Sequence, residues 1–242
     1  MLNGEPNPGQ LEISLKNNSN KKIMILLLEM EQLEHHQLIF EPYLTGADML
    51  TNQTFRNIFN LELFQSTGGM AVKDTSRMFT DLQGSTELYD RIGDLKAFSL
   101  VHHHFDVLGD SVIRNNGAIV KTIGDAIMAA FQSSADTLTA AIEMRDAIKS
   151  YNKNSSDEDI YIKIGIHRGA AIAVTLNERL DYFGQSINIA ARIQGLANGD
   201  EIYMTDSILE APNVKKILSG RTLKRKQEKL KGIEMPFNVY KI

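Results

Sequence analysis

The sequence predicts an α/β protein of the α+β type, with a ferredoxin-like core in the order βαββαβ. From residue 76 onward, short apolar runs bounded by turn residues alternate with longer segments whose apolar residues repeat at helical spacing. Further strand-like runs near the C-terminus add strands to this core. The region before residue 76 has a different pattern and indicates a small N-terminal segment with a β-hairpin and a helix.

The first half of the core has the order strand, helix, strand, strand. Residues 77–80 form a short strand, and residues 95–115 carry an apolar stripe at helical spacing. Residues 118–123 and 126–131 are short apolar strands, and the glycine-aspartate pair between them is typical of a tight turn.

The second half of the core contains two more helices and four more strands. The helices are predicted over residues 135–151 and 186–196, and the strands over residues 161–166, 170–175, 201–204 and 237–240. The last two strands extend the sheet beyond the ferredoxin-like unit.

Residues 1–73 are predicted to form a separate N-terminal segment, and residues 74–242 the main domain. Alternating apolar residues over 11–15 and 23–27, with an Asn-rich turn between them, indicate a β-hairpin. Residues 51–64 have apolar positions close to helical spacing. A segment this small buries little core, so we expect it to pack on the main domain or to belong to a larger module.

The composition excludes several classes of protein. The 242-residue chain is 43% hydrophobic and 23% charged, which is typical of a soluble globular protein. Its net charge of −4 provides no overall attraction to nucleic acid or to an anionic membrane. The absence of cysteine excludes thiolate metal sites and a thiol nucleophile. With no visible signal peptide and no apolar run long enough to span a bilayer, we expect a cytoplasmic location and no membrane insertion.

Two aspartates are candidate metal ligands. Asp81 ends the first core strand, and Asp125 lies in the turn of the following hairpin. A ferredoxin-like core places that strand beside the hairpin, so the two carboxylates can converge on a hard cation such as Mg2+. The alternative is that both are ordinary turn residues, because aspartate is common in turns.

Four segments resemble the motifs of class III adenylate and guanylate cyclases and occur in that family's order. They are FTDLQGST at residues 79–86, VKTIGDAIMAAF at 120–131, LDYFGQSINIAARI at 180–193 and LKGIEMPFNVY at 230–240. The resemblance implies that Asp81, Asp125 and the backbone carbonyl of Leu82 bind two Mg2+ or Mn2+ ions per active site. It also implies that the 3′-hydroxyl of ATP attacks the α-phosphorus and expels pyrophosphate.

The resemblance assigns Lys121 and Asp181 to the selection of the purine base. Adenine presents an acceptor at N1 and a donor at N6, whereas guanine presents the reverse pattern. Lys121 supplies only donors and an ionised Asp181 only acceptors, so the pair favours ATP. The alternative for Lys121 is an exposed strand lysine without a ligand.

Three further residues match positions that contact the rest of the nucleotide in the family. Asn188 and Arg192 lie four residues apart on one predicted helix face. The resemblance implies that Asn188 orients the ribose, that Arg192 stabilises charge on the α-phosphate, and that Lys231 contacts the terminal phosphates. The basic residues just before Lys231 are predicted to be a solvated loop.

The family's active site lies between two catalytic domains. Both halves are present in this chain, so the resemblance implies a homodimer with two equivalent composite sites. A guanylate cyclase, or a catalytically silent module that binds ATP and dimerises, remains as an alternative. A diguanylate cyclase is excluded because its GG(D/E)EF motif is missing.

Two features outside the motifs also have an interpretation. The N-terminal segment resembles the tail of a regulatory module that precedes some bacterial cyclase domains, and we expect it to help set the geometry of the dimer. The run His102-His103-His104 is predicted to be surface or packing histidines, because adjacent residues of a helix point in different directions.

Overall fold

The computed structural model describes residues 45–58, 69–155, 157–176, 179–233 and 236–242. The chain divides into two compact units, Met1–Tyr43 and Leu44–Ile242, and the described residues all belong to the second. The hairpin predicted over residues 11–27, and the end of the helix predicted over 51–64, lie outside the described residues. The predicted domain boundary at residues 73 and 74 stays a prediction.

A mixed eight-stranded sheet forms the centre of the described unit. The strands follow the order β2-β3-β1-β4-β6-β8-β7, and β5 pairs with β4 outside this path. Only β4 and β6 are parallel among the paired strands of the described residues. The strands are β1 Met70–Leu82, β2 Gly117–Ile123, β3 Ala126–Phe131, β4 Ile162–Leu176, β5 Arg179–Phe183, β6 Ile202–Thr205, β7 Lys224–Glu228 and β8 Phe237–Lys241.

Helices precede the sheet and connect its strands. They are α1 Gly46–Leu50, α2 Gln53–Ile58, α3 Ser85–Ile92, α4 Asp94–Arg114, α5 Ser134–Asn154, α6 Gln185–Gln194, α7 Asp206–Leu209 and α8 Val214–Ile217. The run from β1 through α4, β2, β3 and α5 to β4, with β1 and β3 central, confirms the predicted ferredoxin-like core with additional C-terminal strands.

The sheet has an apolar layer on each face because successive side chains of a strand point to opposite sides. Met78 belongs to the larger layer, which α4 and α5 cover. Its neighbour Phe79 belongs to a second layer that includes Leu50 from α1 and Ala190 from α6. Residues upstream of the sheet therefore contribute to the core of the described unit.

Several parts of the sheet differ from the prediction: β1 begins at Met70 rather than at residue 77, and β5 occupies a stretch where no strand was predicted. A single strand, β4, runs through His167 to Gly169, where a turn between two strands was predicted. These residues pair with β1 from Thr75 to Arg77, and this long-range pairing overrides the local turn preference. The basic run predicted as a solvated loop forms β7, which pairs with β8 while its charged side chains cover a sheet edge.

The histidine run is divided between surface and core. His102 and His103 are exposed on α4, whereas His104 is fully buried among the residues of the larger apolar layer. Burial lowers the pKa of His104 to about 4, against smaller opposing effects of the Asp125 backbone and the Asp81 charge.

The helix α6 packs directly on β4 at Gly165. A Cβ atom at this glycine would overlap the backbone nitrogen and Cα of Gln194. Because Gly165 has no side chain, α6 can lie close to the sheet at this position of β4.

We predict that Gly165→Ala lowers the free energy of unfolding by about 2 kcal/mol, because the new methyl group overpacks a backbone contact. Urea unfolding followed by circular dichroism measures this change. Gly109→Ala is the matched control: its Cβ would lie 3.5 Å from Ile119 Cδ1, an ordinary contact, within the interior of α4. That control should raise stability by up to about 1 kcal/mol, and equal losses in both variants would contradict the interpretation.

A second buried histidine connects β4 to the C-terminal part of the sheet. His167 Nδ1 lies 2.8 Å from Thr205 Oγ1 on β6, and the ring packs edge-on against Phe237 of β8. Burial, and then the charge of Arg77, lowers the pKa of His167 to about 4. The folded protein therefore holds this histidine neutral.

We predict that His167 makes stability depend on acidity between pH 6.5 and pH 4. The unfolded chain binds a proton near pH 6.5 that the folded protein accepts only near pH 4, so this contribution is complete above pH 6.5 and decreases as the pH falls. The free energy of unfolding of the unsubstituted chain should decrease between pH 7.5 and pH 5. In His167→Gln this decrease should be smaller by about 2 kcal/mol. The exposed His102→Gln serves as the control, and the same reduction there would contradict the prediction.

Candidate active site

The structure brings the two predicted metal ligands to one place. Asp81 lies near the end of β1, and Asp125 follows Gly124 in the turn between β2 and β3. Gly124 has a φ of 61°, a left-handed conformation that glycine adopts without steric cost. Asp125 Oδ2 accepts a hydrogen bond of 3.3 Å from the backbone N–H of Leu82. The Asp125 carboxylate therefore lies directly beside the end of β1.

A lysine that sequence reasoning missed completes this group. Lys163 on β4 is the cross-strand neighbour of Asp81, and its Nζ forms an ion pair with Asp81 Oδ2. The side chains of Lys163 and Asp81 are 22% and 28% exposed, so a ligand can reach both. The pairing of β1 with β4 creates this contact, so no local sequence motif predicts it.

The group has the chemistry that a hard divalent cation requires. Asp81 and Asp125 contribute carboxylate oxygens beside the backbone of Leu82, and Asp81 already holds a cationic ammonium. Mg2+ is typically bound by one or two carboxylates, with water and substrate phosphates completing the shell. Within the described ranges, no group of three or more His, Cys, Asp or Glu residues converges. The residues thus fit a site that substrate helps to complete.

The predicted base-selecting residues form a second group. Lys121 Nζ on β2 lies 2.6 Å from Asp181 Oδ2 on β5. The other carboxylate oxygen of Asp181 accepts a 2.8 Å hydrogen bond from the backbone N–H of Tyr182. Asp181 is therefore held in a defined orientation, and its side chain is only 11% exposed whereas that of Lys121 is 40% exposed.

A buried cationic cluster lies directly behind this pair. The Arg77 guanidinium stands 4.0 Å from the ring centroid of Tyr182, and that of Arg56 stands 6.0 Å away. Burial lowers the pKa of Arg77 to about 10, so it remains charged at neutral pH. Among the described residues, no carboxylate lies within ion-pair distance of either arginine, and Arg77 Nε and Nη2 have no hydrogen-bond partner. The ring of Tyr182 is thus the main compensation for the Arg77 charge.

The predicted ribose and phosphate residues lie on α6 and in a nearby turn. Asn188 is exposed and Arg192 half-buried, four residues apart on α6. The Arg192 guanidinium lies against Gly232, where an added Cβ would stand 3.5 Å from Nη2. Lys231 precedes this glycine and is exposed. The structure therefore brings Arg192 to the turn that carries Lys231.

The candidate residues form three groups in one chain. In the part of the chain that the structure describes, no hydrogen bond or ion pair connects the aspartates with the Lys121–Asp181 pair, or connects either with Arg192 and Lys231. Each group is built separately, from β1 with the β2–β3 turn, from β2 with β5, and from α6 with the turn before β8.

The fold and the three groups of candidate residues belong to a chain that matches a known family of proteins. The family model described as "Adenylate and Guanylate cyclase catalytic domain" matches residues 70–241. The chain belongs to this family, the class III adenylate and guanylate cyclases.

Similar curated proteins are adenylate cyclases. The chain is 28% identical over 202 residues to the adenylate cyclase of Anabaena cylindrica, a match that covers 77% of this chain and 39% of that protein. It is 26% identical over 193 residues to the adenylate cyclase of Lachancea kluyveri, with 71% of this chain and 10% of that protein covered. The chain thus spans well under two thirds of the length of these relatives.

Solved cyclase structures share the fold at low sequence identity. The adenylyl cyclase CyaB from P. aeruginosa superposes with a TM-score of 0.60 at 20% identity, over 71% of this chain and 95% of that one. The guanylate cyclase domain of RhGC from Catenaria anguillulae, in complex with GTP, gives a TM-score of 0.62 at 18% identity, over 71% and 97%. Both adenylate and guanylate cyclases therefore have this architecture. Separately, none of the described helices combines the length and the hydropathy needed to cross a bilayer.

We predict that the Tyr182 ring stabilises the buried Arg77 charge. Tyr182→Leu should lower the free energy of unfolding by about 2–4 kcal/mol, because it removes both the ring and its contact with the guanidinium. Tyr182→Phe keeps the ring and loses the hydroxyl, which donates a 3.1 Å hydrogen bond to Leu50 O and also interacts with Arg56, so about 1 kcal/mol should be lost. Chemical denaturation at pH 7.5 measures both values, and equal losses would show that the ring has no such role.

Proposed function

We propose that this protein is an adenylate cyclase that converts ATP to 3′,5′-cyclic AMP and pyrophosphate in a homodimer. The observation that carries the proposal is the Lys121–Asp181 pair, whose donor on β2 and acceptor on β5 lie 2.6 Å apart. The aspartates beside Leu82 supply the second requirement, a place for divalent cations.

The aspartate group would hold two Mg2+ or Mn2+ ions through Asp81, Asp125 and the Leu82 carbonyl. When bound, the ions supply Lewis-acid chemistry that activates the 3′-oxygen and neutralises charge on the phosphates. Lys163 adds a positive charge beside Asp81, in a position to meet an anionic substrate. This group therefore serves the reacting end of the nucleotide.

The Lys121–Asp181 pair would read the edge of adenine. Lys121 Nζ donates to N1, and Asp181 accepts from the N6 amino group. The Tyr182 N–H holds Asp181 so that one oxygen faces the ligand, and the partly exposed lysine can turn from its ion pair to the base. Guanine would place its O6 acceptor and its N1 donor against the wrong partners, which disfavours GTP.

The third group would act on the ribose and the phosphates. Asn188 orients the sugar so that the 3′-oxygen faces the α-phosphorus in line with the leaving group. The 3′-hydroxyl would give up its proton to solvent water as its oxygen bonds to the α-phosphorus. The bond from the α-phosphorus to the bridging oxygen of the β-phosphate would break, and pyrophosphate would leave with that oxygen. Arg192 stabilises charge on the α-phosphate with its planar fork, and Lys231 binds the departing pyrophosphate.

The separation of these groups within one chain supports the proposed homodimer. Complementary halves of the site contributed by two copies would form two equivalent centres, as two-fold symmetry permits. Exposed apolar side chains on β4 and β5, at Ile172, Leu176 and Phe183, provide apolar surface for such an interface. We also propose that residues 1–73 are the tail of a regulatory module that sets the geometry of this dimer.

We predict that the purified chain forms cyclic AMP from ATP with Mg2+ or Mn2+, and far less cyclic GMP from GTP. Asp81→Asn and Asp125→Asn should each reduce the rate by about 1,000-fold or more, because each removes a charged ligand from the reacting centre. Chromatography of the reaction products measures both rates.

Asp110→Asn is the matched control, since Asp110 is an exposed aspartate on α4, and it should leave the rate unchanged. Cyclic GMP as the main product would overturn the assignment of the base. A chain that is dimeric by analytical ultracentrifugation and forms neither product would instead be the silent ATP-binding module.

A further inference from the structure

The two strands that carry the base-selecting pair are not partners in the sheet. In the described residues β2 is an edge strand paired only with β3, and β5 is paired only with β4. The strands lie against each other without a hydrogen-bonded ladder between them. The distance between Lys121 and Asp181 therefore depends on side-chain contacts that connect β2 with β5.

Arg56 of α2 bridges these strands through their backbones. Its Nη2 donates to Leu180 O at 2.8 Å and to Val120 O at 3.4 Å. These carbonyls belong to the residues immediately before Asp181 and Lys121. One planar guanidinium therefore contacts both strands, each one residue from a base-selecting side chain.

The contact with β2 falls on an irregularity of that strand. Val120 is the extra residue of a β-bulge, because Ile119 and Lys121 pair with consecutive residues of β3. Gln53, one turn before Arg56 on α2, accepts a 2.7 Å hydrogen bond from the Ile119 N–H. Helix α2 thus provides partners for the backbone on both sides of the bulge that positions Lys121.

The remaining contacts fix Arg56 itself. Its Nη1 donates to Leu50 O at 3.4 Å, and the same carbonyl accepts from the Tyr182 hydroxyl at 3.1 Å. Arg56 is only 6% exposed, and burial lowers its pKa while Tyr182, and then the Asp181 charge, partly oppose that shift. A buried guanidinium held by three carbonyls has little freedom to move.

We propose that Arg56 is a positioning residue for base selection, which sets the separation of Lys121 and Asp181 from a segment that precedes the family match at residue 70. This inference rests on the proposed function, since it assigns Arg56 to the same base-reading site. It adds residues 45–58 to the determinants of nucleotide specificity.

Steady-state kinetics of the full chain with ATP and with GTP tests the proposal. Arg56→Gln removes the charge and the fork, and should raise the KM for ATP by about 10- to 100-fold with a smaller change in kcat. The preference for ATP over GTP should fall by a similar factor. Arg56→Lys keeps the charge and the long stem but loses the fork, so its preference should be intermediate.

A purely structural role predicts a different result. Loss of folded protein would reduce kcat for both nucleotides equally and leave each KM and the ATP-to-GTP ratio unchanged, which would overturn the proposal. Should Arg56→Gln fail to fold, Arg56→Lys carries the same test. Arg91→Gln is the matched control, because Arg91 is an exposed arginine that forms an ion pair with Glu158. This variant should leave the ATP-to-GTP ratio unchanged.

A binding measurement separates this inference from the proposed function. A fluorescent methylanthraniloyl derivative of ATP is displaced by ATP or by GTP from the unsubstituted chain and from each variant. If the unsubstituted chain forms no cyclic nucleotide, the proposed activity fails, and displacement alone decides the role of Arg56. Weaker and less selective displacement by ATP in Arg56→Gln supports that role, and unchanged relative affinities overturn it.

Discussion

The register of β1 between β3 and β4 is the constraint on which the candidate site depends. In this register Asp81 lies opposite Lys163 and Thr80 opposite Ile127, so the β2–β3 turn reaches the end of β1. A shift by one residue would turn Asp81 into the apolar layer beneath α4 and α5, and Met78 out of it. Because β1 is buried on both faces, apolar packing fixes this register. The register in turn fixes the positions of the Asp81 and Asp125 carboxylates.

The face of the sheet that carries the site is unusually polar inside. Arg77, Arg56 and Tyr182 occupy space that apolar side chains fill on the opposite face. Replacing such buried groups by apolar residues of similar volume is often neutral or stabilising in other proteins. Here Arg56 donates hydrogen bonds to backbone carbonyls of β2 and β5, and the ring of Tyr182 lies against the Arg77 guanidinium. In the proposed function, this polar interior supports the position of the Lys121–Asp181 pair.

Family membership and specificity rest on different parts of the molecule. The fold and the family match cover residues 70–241 and are shared by cyclases that act on either purine. In the proposed function, the choice between purines depends on two side chains, Lys121 and Asp181, and on the strands that carry them. One of the groups that hold these strands, Arg56, lies before the family match. Nucleotide preference can therefore change without any change in the shared catalytic motifs.

The sequence by itself determined the order of the elements in the βαββαβ core, the helices α4 and α5, the β2–β3 hairpin, and the residue types available for chemistry. All of these follow from local periodicity and turn preference. Only the tertiary structure decided that β4 is continuous through His167, that β7 is a strand, and that His104 is buried. It alone placed Lys163 on Asp81 and Arg56 behind Lys121 and Asp181. These contacts join residues that are dozens of positions apart, and strand pairing and burial, which no local pattern encodes, bring them together.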